Sequence, residues 1–113
     1  MAKILIVDDS SFMRKKLKKV LEESGHDVVG QASDGMEAFN VYKKLTPDVV
    51  IMDVTMGKMD GISGARLIRA FDPRSKIVFM SMVSDQKVID DAKSLGALDY
   101  ISKDSYDRLL SLL

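Results

Sequence analysis

The chain has 113 residues, with 17 basic and 17 acidic side chains and a formal net charge of zero. That balance gives no general pull toward nucleic acid or an anionic membrane surface. The absence of cysteine excludes disulfides, zinc–thiolate sites and cysteine nucleophiles. A single histidine, His26, excludes a multi-histidine metal centre and reads as a surface residue. Hydrophobic residues make up 46% and charged residues 30%, an ordinary folded composition. One domain over residues 1–113 is expected, burying roughly two-thirds of the surface its unfolded form exposes. No apolar run approaches membrane-spanning length and no leader segment is visible, so a soluble cytoplasmic protein with no membrane contact is expected.

Ile4-Leu5-Ile6-Val7 is a continuous apolar run of strand-forming residues that ends in Asp8-Asp9. Runs of this kind fit strands buried on both faces, as in a parallel sheet. Ser10 and Ser11 follow as candidate helix caps. Met13, Leu17, Val20 and Leu21 then recur at the spacing of one helix face, and Gly25 is a stop signal. The basic residues from Arg14 to Lys19 alternate around that stripe and read as a solvated face. Val28 to Ala32 is a shorter, more polar strand suited to a position near an edge. Asp34 opens a second helix with Ala38, Tyr42 and Leu45 on one face, closed by Pro47.

Val49-Val50-Ile51-Met52 leads straight into Asp53, followed by Val54, Thr55 and Met56. After the loop Gly57 to Gly61, Ile62, Ala65 and Ile68 mark a third helix. Ile77 to Met80 is another buried strand, ending in Ser81. Ser84-Asp85 starts a fourth helix with Val88, Ala92 and Leu95 inward and Gly96 past its end. Leu98 to Ile101 is a fifth strand, ending near Lys103. Tyr106 to Leu112 leaves room for only a short last helix. Strand and helix alternate five times, which predicts an α/β, doubly wound five-stranded parallel sheet with helices on both faces, a three-layer sandwich.

In such a sheet every strand delivers its carboxyl end to the same rim, where ligands bind. The first strand brings Asp8 and Asp9, the third Asp53 and Thr55, the fourth Ser81 and the fifth Lys103. Three carboxylates gathered there repel. Two unit charges about 4 Å apart interact by about 4 kcal/mol at an effective dielectric near 20. One ammonium cannot offset three acids, so the cluster calls for a divalent cation or raised pKa values. Oxygen ligands without imidazole or thiolate select a hard ion, and Mg²⁺ fits. A carboxylate can also act as a nucleophile toward phosphorus. The incoming phosphoryl group then needs a metal, a cation and a hydroxyl donor around it, and this rim offers all three.

Four segments carry a family resemblance: Ile-Leu-Ile-Val-Asp-Asp-Ser at 4–10, Val-Ile-Met-Asp-Val-Thr-Met at 50–56, Met-Asp-Gly at 59–61 and Gly-Ala-Leu-Asp-Tyr-Ile-Ser-Lys at 96–103. They resemble the receiver domain of two-component response regulators, of the single-domain chemotaxis type, from about Lys3 to Lys103. The resemblance implies a flavodoxin-like sheet of order 2-1-3-4-5, for which chemotaxis receivers are themselves a standard example. It implies that Asp53 accepts phosphate from the phosphohistidine of a histidine kinase or phosphotransfer protein. It also implies that Asp8, Asp9, Asp53 and the Thr55 carbonyl hold Mg²⁺, that Ser81 is the switch hydroxyl, and that Tyr100 moves with it. The output would then be a protein target on the last strand–helix face, without nucleic-acid contact. Such a protein is a phospho-acceptor with self-catalysed transfer and hydrolysis, not an enzyme in the ordinary sense.

The chain departs from that family pattern in four places. Gly57 stands where proline is common, which predicts a looser loop. Met82 follows the switch serine where a small residue is usual, which predicts crowding of the phosphoryl site. Asp104 follows Lys103 where proline is usual, which puts the usual bond geometry there in question. The short last helix leaves Leu109, Leu110, Leu112 and Leu113 to pack on the sheet or to form a partner surface. The alternative function is a receiver-like module that binds partners without phosphorylation. A flavin module would want a Gly-, Ser- and Thr-rich phosphate loop after the first strand, where two carboxylates stand instead. A phosphohydrolase would place its nucleophile after the first strand, with a second Asp two residues on.

Overall fold

The computed structural model describes residues 1–113. Five strands, β1 (Lys3–Val7), β2 (Asp27–Ala32), β3 (Val49–Met52), β4 (Ile77–Ser81) and β5 (Asp99–Ser102), alternate with five helices, α1 (Ser11–Glu23), α2 (Gly35–Leu45), α3 (Gly61–Phe71), α4 (Gln86–Ser94) and α5 (Tyr106–Ser111). Neighbouring strands are all parallel, in the order β2-β1-β3-β4-β5. The doubly wound sheet of order 2-1-3-4-5 is therefore present, with the more polar β2 at one edge. No helix is long and apolar enough to cross a membrane.

Strand alternation splits the core into two layers. Leu5, Val7, Val50, Met52, Ile77 and Phe79 point toward Ala38 and Tyr42 of α2, Ala65 and Ile68 of α3, and Ala92 of α4. Ile4, Ile6, Val49, Ile51, Val78 and Met80 point the other way, toward Leu17 and Leu21 of α1 and Leu109 of α5. β1, β3 and β4 thus bury both faces, as their unbroken apolar runs require. Leu109 is fully buried, and Leu110, Leu112 and Leu113 pack against the same layer. The terminal leucines pack on the sheet.

Side-chain oxygens cap four helices. Ser10 accepts from the Met13 N–H, Asp34 from Glu37, Asp60 from Ser63 and Asp85 from Lys87. Gly25 follows α1 at φ 87°, the left-handed conformation that closes a helix. Thr46 closes α2 in the same region at φ 40°, a strained choice for a β-branched residue placed before proline. Leu45, expected on the buried face of α2, is 42% exposed, although its Cδ1 lies over Gly30 of β2. The β2 edge offers too little cover to bury it. His26 is half-buried, because its Nδ1 accepts the Ala2 N–H at 3.1 Å.

Candidate functional site

The carboxyl rim of the sheet is assembled by the backbone first. Asp53 follows β3 directly, and its N–H donates to the Val7 carbonyl at 2.9 Å, which seats it beside the end of β1. The Asp8 N–H donates to the Ala32 carbonyl of β2 at 3.0 Å. The Lys103 N–H donates to the Ser81 carbonyl at 3.2 Å, tying the segment after β5 to the end of β4. Side chains complete the cluster. Lys103 Nζ lies 2.8 Å from Asp8 Oδ2 and 3.1 Å from Asp53 Oδ2. Asp8 Oδ1 accepts the Ser10 N–H at 2.9 Å. Carboxylate oxygens of Asp8, Asp9 and Asp53 lie within 4.8 Å of one another. Asp8, Asp53 and Ser81 are buried, and Asp9 is exposed.

One ammonium thus bridges two of the three acids and leaves the third without a cation. Burial raises the Asp53 carboxyl above its ordinary value, and the Asp8 charge adds to that rise, although Lys103 opposes both. Burial alone would lower Lys103, but hydrogen bonds to Asp8 and Asp53 and their charges hold it above its ordinary value. The donor set is all oxygen, closely spaced, carries more negative charge than Lys103 neutralises, and has one member at the surface. It fits a hard divalent cation. Thr55 is exposed, and no hydrogen bond within the chain uses its carbonyl.

Two supporting residues went unread in the sequence. Gly61 donates its N–H to the Val54 carbonyl at 2.8 Å, and a Cβ at Gly61 would collide with the Asp53 carbonyl oxygen. The first turn of α3 therefore presses directly on the Asp53 backbone, and only glycine fits. The Met-Asp-Gly segment was the available signal, but the partner lies eight positions earlier in the chain. Arg14 reads in sequence as part of a solvated basic face. In the fold it is half-buried, with Nη1 donating to the Asp8 carbonyl at 2.6 Å.

The β4–α4 loop is hydrogen-bonded to the rim through Val83. The Val83 N–H donates to Ser81 Oγ at 3.0 Å, and the Val83 carbonyl accepts from the Tyr100 hydroxyl at 2.6 Å. Tyr100 is half-buried against Phe79, so it already points inward here. Met82 is not packed into the rim but borders the open surface beside Ser102 and Lys103. It is 85% exposed, because the turn that aims Ser81 and Val83 inward sends the residue between them to solvent. All peptide bonds are trans, including the one before Asp104, and Lys103 reaches both acids from that backbone.

Residues 4–113 match the family of response regulator receiver domains. This chain belongs to that family. The receiver is 43% identical to the chemotaxis protein CheY of Thermotoga maritima, over 89% of its own length and 84% of that protein. It is 40% identical to CheY of Listeria monocytogenes, over 100% of its length and 96% of that protein. Its structure is similar to CheY in a crystal structure of a CheX–CheY–BeF3–Mg complex from Borrelia burgdorferi. There the TM-score is 0.92 at 33% identity, covering 97% of this chain and 84% of that one. It is a CheY-like receiver domain of the two-component phosphorelay type, the role its sequence resemblance implied.

Proposed function

We propose that Asp53 is the phosphoacceptor and that Asp8, Asp9, Asp53 and the Thr55 carbonyl hold Mg²⁺. The bridging of Asp8 and Asp53 by Lys103, with Asp9 within 4.8 Å, is the observation that carries this reading. A Mg²⁺ ion bound there supplies positive charge to the acids and to phosphoryl oxygens. An Asp53 carboxylate oxygen attacks phosphorus of a phosphohistidine presented by a histidine kinase or phosphotransfer protein. The P–O bond forms as the P–N bond breaks, and that electron pair stays on the donor's imidazole. Lys103 pairs with the phosphoryl oxygens, and Ser81 Oγ donates its proton toward them while still accepting from Val83.

Phosphorylation adds charge and acceptor oxygens beside Ser81. Movement of Ser81 then reaches Val83 and Tyr100, shifting the population of the β4–α4 loop and the face it shares with β5. A downstream protein reads that face. The inward Tyr100 supports a second reading, a module that binds its partner without phosphorylation. Labelling with a small-molecule phosphodonor, with Mg²⁺ or with chelator, decides between them. The proposal expects Mg²⁺-dependent labelling that Asp53→Asn abolishes. Target binding unchanged by phosphodonor supports the second reading.

A further inference from the structure

We propose that Arg14 is a positioning residue for the acidic pair, setting divalent-cation affinity from a place outside the ligand set. This rests on the metal-binding reading above. Asp9 contributes an exposed carboxylate that makes no hydrogen bond or ion pair within the chain. Its side chain is therefore placed by the backbone alone. The Asp8–Asp9 peptide makes a single hydrogen bond, from Arg14 Nη1 to the Asp8 carbonyl at 2.6 Å. Arg14 Nε donates at 3.1 Å to Gln31 Oε1 on β2, whose backbone is in register with Ile6 of β1. The Arg14 N–H donates to the Ser10 carbonyl at 3.1 Å, within the first turn of α1.

Arg14, seated by its backbone in the first turn of α1, thus uses its guanidinium to join the β2 edge to the peptide between Asp8 and Asp9. Its planar fork suits this task, because two donors at a fixed angle meet two acceptors at once. Without it the Asp8 carbonyl loses its one partner, and the peptide can tilt between its two flanking anchors, the Asp8 N–H on Ala32 and the Ser10 N–H on Asp8 Oδ1, moving Asp9 relative to Asp8 and Asp53. The remaining Asp8 contacts hold its N–H, through the Ala32 carbonyl, and its side chain, through Ser10 and Lys103, but not its carbonyl. Groups that orient metal ligands commonly change metal affinity by about 10- to 100-fold when removed.

The test is isothermal titration of the full chain with Mg²⁺, on wild type, Arg14→Ala and Arg14→Lys, beside thermal unfolding in chelator. Arg14→Ala is expected to weaken Mg²⁺ binding by about tenfold or more. Arg14→Lys keeps the charge but lacks the fork, so it recovers only part of the loss. Wild-type affinity in Arg14→Ala overturns the proposal, even if its unfolding temperature falls. If Arg14→Ala does not fold, Arg14→Lys decides alone: weaker binding supports the proposal and wild-type binding overturns it. A wild type that binds no Mg²⁺ overturns the metal-site reading itself, a separate failure.

Discussion

Two regions of the carboxyl rim are held in opposite ways. On the β1–β3 side, Asp53 is fixed through its N–H by Val7, through its carboxylate by Lys103 and against its carbonyl by Gly61. On the β4–β5 side, Ser81 and Tyr100 both hydrogen-bond to the backbone of one half-buried residue, Val83. The first region has several independent constraints, so losing one still leaves a shaped site. The second has two hydrogen bonds in series, so it can exchange between arrangements at small cost. The proposed phosphoryl transfer needs the first property and the proposed switch the second.

Gly61→Ala should give the largest effect on this contrast. It forces Asp53 and α3 apart, with an expected loss of about 3 kcal/mol, the upper part of the usual range for overpacking. Urea unfolding reads that loss, and labelling should fall with it. Tyr100→Phe acts on the other region. It removes one hydrogen bond, so stability should drop by about 1 kcal/mol. Faster amide exchange at Leu95 or beyond is not expected; the change should centre on Val83 and the start of α4.

The strands and their acids were legible because burial on both faces leaves a plain mark, as in Ile4 to Val7 and Val49 to Met52. Their carboxyl ends then had to meet, given a parallel sheet. The supports were not legible, because each depends on a distant partner. Gly61 reads as a loop glycine until Asp53 is placed behind it. Arg14 reads as one of several basic residues until β2 is placed beside α1. Val83 acts through its backbone, which side-chain identity does not reveal. Met82 drew a prediction of crowding because adjacency in sequence does not give direction.

Away from the rim, the Tyr42 hydroxyl donates to Asp72 Oδ2 at 2.7 Å, and this offers a smaller, pH-dependent test. Burial and then Asp72 push the Tyr42 hydroxyl well above its ordinary range. The Tyr42 hydrogen bond, followed by the Arg74 N–H, holds the Asp72 carboxyl below its ordinary value. A carboxyl lowered in the folded state contributes stability that is complete above its unfolded value, about 3.9, and is lost as pH falls through the lower folded value. Asp53 has the opposite sign in metal-free protein. Its raised value contributes stability that is full below the unfolded value and is lost as pH rises through the folded one. Asp72→Asn should therefore flatten the acid limb of urea midpoints measured against pH, leaving the Asp53 contribution in place. The smallest effect expected is that of Met82→Ala. With the side chain 85% exposed, labelling rates should stay near wild type, and a marked acceleration would restore the crowding account.

The most direct measurement follows backbone amide resonances during Mg²⁺ titration, with and without beryllofluoride as a phosphoryl mimic. The account predicts that the two together shift Asp53, Lys103 and Val83 in wild type, and that Asp53→Asn abolishes the beryllofluoride-dependent part. Shifts confined to the acids, with Val83 unmoved, would contradict it.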